Sequence, residues 1–282
     1  MNVKNYIIDT DLALGTLNAD PDDGIAILNL ISNKVDISLI SLVGGNVPIN
    51  IARNNLDLLL RSIDYSGKKI PFFKGNSNDL AFENDYFFWR KWQKNYYEIE
   101  TSYPYLLEVS ENIEDYFASE NIIFGLGPLT NLANFYNKNF INKTNSKIFW
   151  MGGNNDSDNF YEEFNISHDI KSFESFLNSG IEFNIFPLDQ TKRVEFNLNE
   201  LSLNLVSYKY KPLYRKMFKN WLTILKKNNW SKKGITLHDC LPVFAFFNPE
   251  KVSYNTFMAY SNMNICVDFD TTAFKKFVIN NL

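Results

Sequence analysis

Apolar runs of strand length alternate with segments of helical periodicity through most of the chain. The run over 3–8 is followed by a helical pattern over 22–32 and by a second apolar run over 35–43. Strands that alternate with helices form parallel sheets, because each crossover helix returns the chain to the edge where the next strand starts. The alternation predicts an α/β fold with a mostly parallel central sheet and helices on both faces, which is a Rossmann-like arrangement.

The same two patterns recur along the rest of the sequence. Further helices are predicted over 50–63, 129–136, 169–178, 198–207, 212–227 and 238–247, and further strands over 70–73, 121–126, 147–150, 181–187 and 264–267. No linker rich in Gly, Ser or Pro divides the chain, so we expect a single domain over 1–282.

The composition excludes several classes of partner. The chain carries 28 Lys and Arg against 32 Asp and Glu, and a net charge of −4 gives no basic surface for nucleic acid. The start has no signal-peptide pattern, and no apolar run is long enough to cross a membrane. Cys240 and Cys266 form no C-x-x-C pair and suit a reducing compartment. We therefore expect a cytoplasmic protein without nucleic-acid or membrane partners.

Carboxylates are concentrated where the first predicted strand leads into the first helix. Asp9 and Asp11 end the strand, and Asp20, Asp22 and Asp23 precede or open the helix. Ligands of open α/β sheets bind beyond the carboxyl ends of the strands, so this connection is a candidate site. Like charges this close need a proton or a cation to neutralise them, and oxygen donors select hard ions such as Ca²⁺ or Mg²⁺.

The acidic connection also has a purely structural interpretation. Asp20 is a good N-cap before Pro21 at the first helical position, and Asp22 and Asp23 favour the positive end of the helix dipole. An EF-hand fits poorly, because Ala13 stands where that loop needs an oxygen ligand. The residues alone leave a metal site and helix capping as alternatives.

Two further groups of residues offer site chemistry. His238 beside Asp239 is a candidate general acid, whereas a lone histidine is often structural and Asp239 is also a potential helix cap. Glu163 and Asn165 follow a predicted strand and offer a carboxylate and an amide to sugar hydroxyls, with a plain polar loop as the alternative.

In chain order these segments resemble the inosine-uridine preferring nucleoside hydrolase family over nearly the whole length. Segments 8–11 and 22–27 resemble the family's opening aspartate motif. The later motifs are matched by segments 44–47, 52–54, 125–131, 151–153, 163–165 and 238–239. The ordered series carries the resemblance, since any one of these matches alone would be weak.

The resemblance implies the nucleoside hydrolase fold and Ca²⁺-dependent hydrolysis of the N-glycosidic bond of a ribonucleoside. It implies that Asp11, Asp23, the backbone carbonyl of Leu126 and Asp239 hold the Ca²⁺ ion. It further implies that Asp11 activates the attacking water and that His238 protonates the leaving base. The products would be free base and ribose.

For substrate binding, the resemblance implies ribose contacts from Asp22, Asn46, Glu163 and Asn165, with Asp9 supporting the loop. The family's His-Gly segment, which usually borders the base, is absent, and the aromatic segment 82–92 stands in that region. Its Trp89 would stack on a nucleobase, whereas the alternative is an amphipathic helix that buries its rings. Common nucleosides, modified ones such as queuosine and nucleoside 5′-phosphates all fit contacts that recognise the sugar.

One departure from the family concerns the first connection. Residues 12–19 separate Asp11 from Asp20, where the family commonly has a short turn containing Pro and Gly. A longer loop costs only about 0.6 kcal/mol per doubling of its length, so the metal site stays in the prediction.

The resemblance also implies a role in nucleoside salvage, within purine or pyrimidine metabolism, and a homodimer or homotetramer.

Two other functions stay open at this point. Asp9-x-Asp11 after a strand also resembles the haloacid dehalogenase-like phosphatases, but Ala13 stands where they have threonine or valine. That interpretation also leaves the later motifs unexplained. The second alternative is a Ca²⁺-dependent nucleoside- or ribose-binding protein without turnover, which the altered aromatic segment motivates.

Overall fold

The strands of this chain form one nine-stranded sheet. The computed structural model describes residues 4–15, 19–76, 104–117, 120–155, 159–231, 233–258 and 260–282. The strands are β1 (Lys4–Thr10), β2 (Ile37–Leu42), β3 (Ile70–Lys74), β4 (Leu106–Val109), β5 (Glu120–Gly125), β6 (Ser146–Met151), β7 (Glu182–Phe186), β8 (Val252–Thr256) and β9 (Met263–Phe269). The α-helices of the described residues are α1 (Asp22–Ser32), α2 (Ile49–Ser62), α3 (Thr130–Asn137), α4 (Phe164–His168), α5 (Ile170–Phe176), α6 (Leu188–Thr191), α7 (Lys211–Lys227), α8 (Cys240–Phe247) and α9 (Thr271–Asn280).

The strand order is β4-β3-β2-β1-β5-β6-β7-β9-β8, and every neighbouring pair is parallel except β8 and β9. From β1 the chain builds the sheet outwards to β4, and then returns to the other side of β1 to form β5. The direction of building therefore reverses between β1 and β5. In open α/β sheets such a reversal leaves a crevice at the carboxyl ends of the two strands, and the acidic connection follows β1 at that edge.

The helices cover both faces of the sheet, as the sequence predicts. Successive residues of a strand point to opposite faces, so Ile7 and Ile8 lie in two different apolar clusters. The cluster of Ile8 contains the buried side chains of α1, α2, α7, α8 and α9. The cluster of Ile7 contains those of α3 and α5. The single α/β domain with a mostly parallel central sheet is confirmed.

The predicted helix over 198–207 is wrong. The segment is irregular, although Leu201, Leu203 and Val206 are buried in the core. Leu203 has a left-handed φ of 53°, which an α-helix of L-residues does not accommodate. Backbone amides that a helix would use internally are bonded elsewhere: Leu205 N donates to Leu282 O and Ser207 N donates to Ser62 O. Contacts distant in sequence therefore override the local apolar pattern.

The predicted capping role of Asp20 is also wrong, whereas Asp22 and Asp23 do lie in the first turn of α1, where the helix dipole favours them. Helix α1 begins at Asp22, and the N-cap position is occupied by Pro21, with no side-chain capping bond. Asp239 does occupy the N-cap position of α8, but its side chain makes no capping bond either. The carboxylates of Asp20 and Asp239 therefore cap neither helix and are available for a different role. Among the described residues, no helix combines the length and apolar character that crossing a bilayer requires.

Candidate active site

Asp9 and Asp11 lie at the carboxyl end of β1, and both are fully buried. Asp9 Oδ1 accepts a hydrogen bond of 3.0 Å from Asn131 Nδ2, and Asp11 Oδ2 accepts one of 2.6 Å from the backbone amide of Asn46. Burial raises the pKa of each carboxyl group to about 7. The predicted substrate ligand Asn46 therefore lies beside Asp11, where its backbone fixes one oxygen of the proposed base.

The first turn of α1 brings a second set of carboxylates to the same place. Asp22 Oδ2 accepts a hydrogen bond of 3.3 Å from the backbone amide of Asp239, and the hydroxyl of Thr10 donates to Asp23 Oδ1. Burial, together with the neighbouring aspartates, raises the pKa values of Asp20, Asp23 and Asp239 well above the ordinary value. The start of α8 thus meets the start of α1 at the end of β1.

Several carboxylate oxygens in this group have no hydrogen-bond partner. Asp9 Oδ2, Asp11 Oδ1, Asp20 Oδ1 and Asp23 Oδ2 are buried without one. Buried polar atoms are normally paired, and unpaired anionic oxygens are particularly unfavourable. One oxygen each of Asp20, Asp22 and Asp23 also lie within 4.8 Å of one another. An all-oxygen donor set of this charge fits a hard divalent cation.

Glycines give Asp11 the space that it occupies. A Cβ atom on Gly45 would collide with Asp11 Oδ2, and one on Gly127 would lie 3.1 Å from Asp11 Oδ1. Leu126, whose carbonyl is a predicted metal ligand, donates its backbone amide to Asp9 O at 2.7 Å. The loops after β2 and β5 therefore enclose the carboxylate at the end of β1.

Asn131 holds this end of the sheet together, and the sequence analysis did not single it out. Its Nδ2 donates to Asp9 Oδ1, to Ser41 Oγ and to the carbonyl of Leu42, while its Oδ1 accepts a bond of 2.8 Å from the amide of Asn76. One side chain thus links β1, β2 and the segment after β3. Its position within the matched segment 125–131 was the only signal available in the sequence.

His238 is partly buried between two hydroxyl groups. Its Nδ1 lies 2.7 Å from Thr191 Oγ1, and its Nε2 lies 2.8 Å from Thr236 Oγ1. Burial lowers the pKa of the imidazole, and the negative charge of Asp22 opposes that shift. His238 is therefore close enough to the acidic group to interact with it electrostatically. Neither threonine was a sequence candidate, because a hydroxyl carries no motif of its own.

Glu163 and Asn165 lie at the end of β6, two strands away from β1. Glu163 is the N-cap of α4, and its carboxylate accepts backbone amides of Gly153, Asn165 and Ile166 at 2.9 to 3.2 Å. Asn165 Nδ2 donates to the carbonyl of Met151 at 3.0 Å. Both side chains thus have structural partners of their own at the same edge of the sheet. Trp89, the remaining predicted substrate ligand, lies outside the described residues.

The sequence model of the inosine-uridine preferring nucleoside hydrolase family matches residues 6–276. The chain belongs to this family. Members are N-ribosyl hydrolases, so the enzyme hydrolyses an N-glycosidic bond, and the phosphatase and the non-catalytic binding protein are set aside. No curated protein matches the sequence.

Solved nucleoside hydrolases share the fold of this family member. A purine-preferring ribonucleoside hydrolase from Gardnerella vaginalis has a TM-score of 0.78 at 19% identity, with 99% of this chain and 98% of that chain covered. A plant nucleoside hydrolase, PpNRh1, has a TM-score of 0.71 at 17% identity over the same shares. The inosine-uridine preferring enzyme from Bacillus anthracis has 0.67 at 14%, again over 99% and 98%. At these identities the structures establish the shared fold and leave the substrate open.

Proposed function

We propose that this nucleoside hydrolase is Ca²⁺-dependent and releases free base and ribose from a ribonucleoside, with Asp11 as the general base. The observation that carries the proposal is the group of buried aspartates with unpartnered oxygens at the end of β1. Such a group is unfavourable without a counter-ion, and it lies where an α/β sheet binds its ligand.

The cation ligands in this proposal are Asp11, Asp23, the carbonyl of Leu126 and Asp239. Their donors are all oxygen, which suits Ca²⁺, and together they leave positions for ribose hydroxyls and a water molecule. When bound, a divalent cation offsets the negative charge and makes a nearby water easier to deprotonate.

Asp11 has one oxygen committed and one free to take a proton. Its Oδ2 accepts the amide of Asn46, and its Oδ1 has no hydrogen-bond partner. We therefore assign Oδ1 as the atom that removes a proton from the attacking water, and the second lone pair of Oδ2 to the cation. The water would attack C1′ of a ribose that develops oxocarbenium-ion character as the base departs.

Ribose recognition is assigned to Asp22, Asn46, Glu163 and Asn165. Asp22 would accept a hydrogen bond from the 2′-hydroxyl, and Glu163 would accept one from the 5′-hydroxyl. Asn46 and Asn165 would bind other ribose hydroxyls. Backbone amides donate to the carboxylate of Glu163, among them two to Oε2 and one to Oε1. The helix start therefore holds this carboxylate rigidly where it would accept a hydrogen bond from a substrate hydroxyl.

The imidazolium form of His238 is assigned as the donor of a proton to the leaving base, and the ring returns to its neutral form as the proton is transferred. Its hydroxyl partners, Thr191 and Thr236, fix the ring orientation, which a general acid needs for efficient transfer. We further propose, on the family resemblance, that the enzyme works in cytoplasmic nucleoside salvage as a homodimer or homotetramer.

The substrate class is tested by a mass-spectrometric screen for free base and free ribose. Purified enzyme is incubated with common and modified nucleosides and their 5′-phosphates, once with Ca²⁺ and once with chelator. We expect release of base from at least one member with Ca²⁺, and loss of that release with chelator. Equal release in both conditions would contradict the cation dependence, and no release from any nucleoside would contradict the proposed substrate class.

A further inference from the structure

Asp20 is the one aspartate of the acidic connection that the family resemblance gives no role. It comes from the connection between β1 and α1, which is longer here than the family's short turn. One of its oxygens nevertheless lies within 4.8 Å of ligand oxygens of both Asp22 and Asp23. This group of carboxylate oxygens, which could hold a cation, therefore includes a residue outside the implied ligand set.

Unpartnered oxygens give independent evidence that this grouping faces a ligand. Asp20 Oδ1 is buried with no hydrogen-bond partner, and the same holds for Asp23 Oδ2. Asp23 is itself fully buried. Neutral or anionic ligands would not offset these charges, so the unpaired oxygens favour a cation.

The backbone on either side holds Asp20 at the site. The carbonyl of Asp20 accepts a bond of 3.3 Å from the amide of Gly15, whose φ of 71° turns the chain back. Upstream of Gly15, Asn55 Nδ2 donates to the carbonyls of Leu12 and Ala13 at 2.9 and 2.7 Å. Leu12 and Ala13 are fully buried. The described part of the long connection is thus anchored to α2, and the downstream side of Asp20 leads directly into α1.

We propose that Asp20 is an additional carboxylate of the cation site, contributed by the long β1–α1 connection of this chain. This inference rests on the proposed function, because it requires that the acidic group binds a cation. It extends that function by giving this enzyme one more negative charge at the site than the implied ligand set supplies. The expected consequence is tighter cation binding at the expense of greater repulsion in the metal-free protein.

The test is a calorimetric titration of Ca²⁺ into chelator-treated protein carrying Asp20→Asn, which removes the charge and keeps the shape. We expect the Kd to rise about 10- to 100-fold, as for the loss of a supporting group at a metal site. Asp36→Asn is the matched control, since Asp36 is exposed and pairs with Lys68. It directly precedes β2 and so lies at the amino ends of the strands, away from the acidic group. Its Kd should stay within about twofold of wild type.

A second readout separates a cation-binding role from a purely structural one. Asp20→Asn should raise the Tm of the metal-free protein, because it removes one repelling charge, and lower the Tm of the Ca²⁺-saturated protein. Asp20→Ser, which also lacks the carboxylate, should shift both temperatures in the same directions. A merely structural role predicts a loss of Tm in both states, and that result would overturn the proposal.

Asp23→Asn distinguishes failure of this inference from failure of the proposed function. If Asp23→Asn abolishes Ca²⁺ binding and Asp20→Asn leaves the Kd unchanged or lower, the role of Asp20 is wrong and the cation site stands. If wild-type protein binds no Ca²⁺, or if Asp23→Asn binds it normally, the cation site itself is wrong.

Discussion

His238 has two hydroxyl neighbours, and counting their hydrogens indicates which ring nitrogen carries the proton. Thr191 Oγ1 also donates to the carbonyl of Leu188 at 3.3 Å, so its single hydrogen is already used. With the hydrogen placed there, Thr191 Oγ1 accepts from His238 Nδ1, and Nε2 in turn accepts the hydroxyl hydrogen of Thr236. Every donor in this chain of bonds then has an acceptor, and we therefore predict the Nδ1–H tautomer for neutral His238.

This assignment predicts the nitrogen spectrum of His238. Since the chain has two histidines, ¹⁵N-histidine labelling gives two ring systems, and His168→Gln identifies which is which. At pH 8 we expect the His238 signals of a protonated Nδ1 and an unprotonated Nε2. Thr191→Val should reduce the preference for that tautomer. A dominant Nε2–H form in the wild-type protein would contradict the hydrogen-bond assignment.

The role of His238 as the acid predicts a dependence on the leaving group. His238→Ala should lower kcat about 10²- to 10⁴-fold on natural nucleosides, whose bases leave poorly without a proton. It should change kcat much less on an activated aryl riboside, which needs no protonation. His168→Ala, on α4, is the control and should leave both rates near wild type. Equal losses on both kinds of substrate would remove the assigned role.

At the residue scale, the sequence predicted the aspartates better than their partners. The sequence made it possible to pick out Asp9, Asp11, Asp22 and Asp23, because they flank a recognisable strand-to-helix connection. The partners of Asn131 lie in or after separate strands, so its role follows only from the strand order. Thr191 and Thr236 were missed because a hydroxyl carries no motif of its own.

Among the structural elements, α3 has a direct effect on the site because it carries Asn131. Asn131→Ala removes the donor to the buried Asp9 Oδ1 and the acceptor of the Asn76 amide. We expect the free energy of unfolding to fall by about 2–4 kcal/mol, since buried polar partners are left unpaired. Urea denaturation measures this change.

The matched control lies on the same helix. Asn137→Ala changes an exposed asparagine at the end of α3 and should alter the free energy of unfolding by less than about 0.5 kcal/mol. If the two variants unfold at the same urea concentration, Asn131 does not hold the strand ends in the way described.

The sequence predicted the central strands and missed the two edges of the sheet. Central strands are apolar runs because both faces are covered, whereas β8 and β4 have several exposed residues and no continuous apolar run. The wrong helix over 198–207 has a related cause. Its leucines are buried as a helix face would be, but its amides bond to Ser62 and Leu282, which local periodicity cannot reveal.

For the molecule as a whole, the buried carboxylates couple stability to pH, and the proposed cation site would couple it to the cation as well. Burial raises the pKa of Asp9 and Asp11 to about 7, against about 4 in the unfolded chain. Between these values the metal-free native state binds more protons than the unfolded state, so its free energy of unfolding falls as the pH rises. A bound cation offsets the charges and removes that loss.

The gain in Tm on adding Ca²⁺ should therefore be small at pH 5 and larger at pH 8. Thermal unfolding with Ca²⁺ and with chelator across this range measures the difference. Asp23→Asn should show a reduced gain at pH 8, because it weakens the site. A gain that is equal at both pH values, or greater at pH 5, would contradict the linkage between protonation and cation binding.

The extent of the single domain over 1–282 stays a prediction.

The central claim is that the cluster of aspartates at the end of β1 catalyses hydrolysis of the N-glycosidic bond, with Asp11 as the base. The most direct measurement is the rate of base and ribose release in phosphate-free buffer with saturating Ca²⁺, for wild type, Asp11→Asn and Asp36→Asn. We predict equimolar base and ribose from wild type and from Asp36→Asn, and a rate about 10²- to 10⁴-fold lower for Asp11→Asn. Asp11→Asn turnover within a few-fold of wild type would contradict the account.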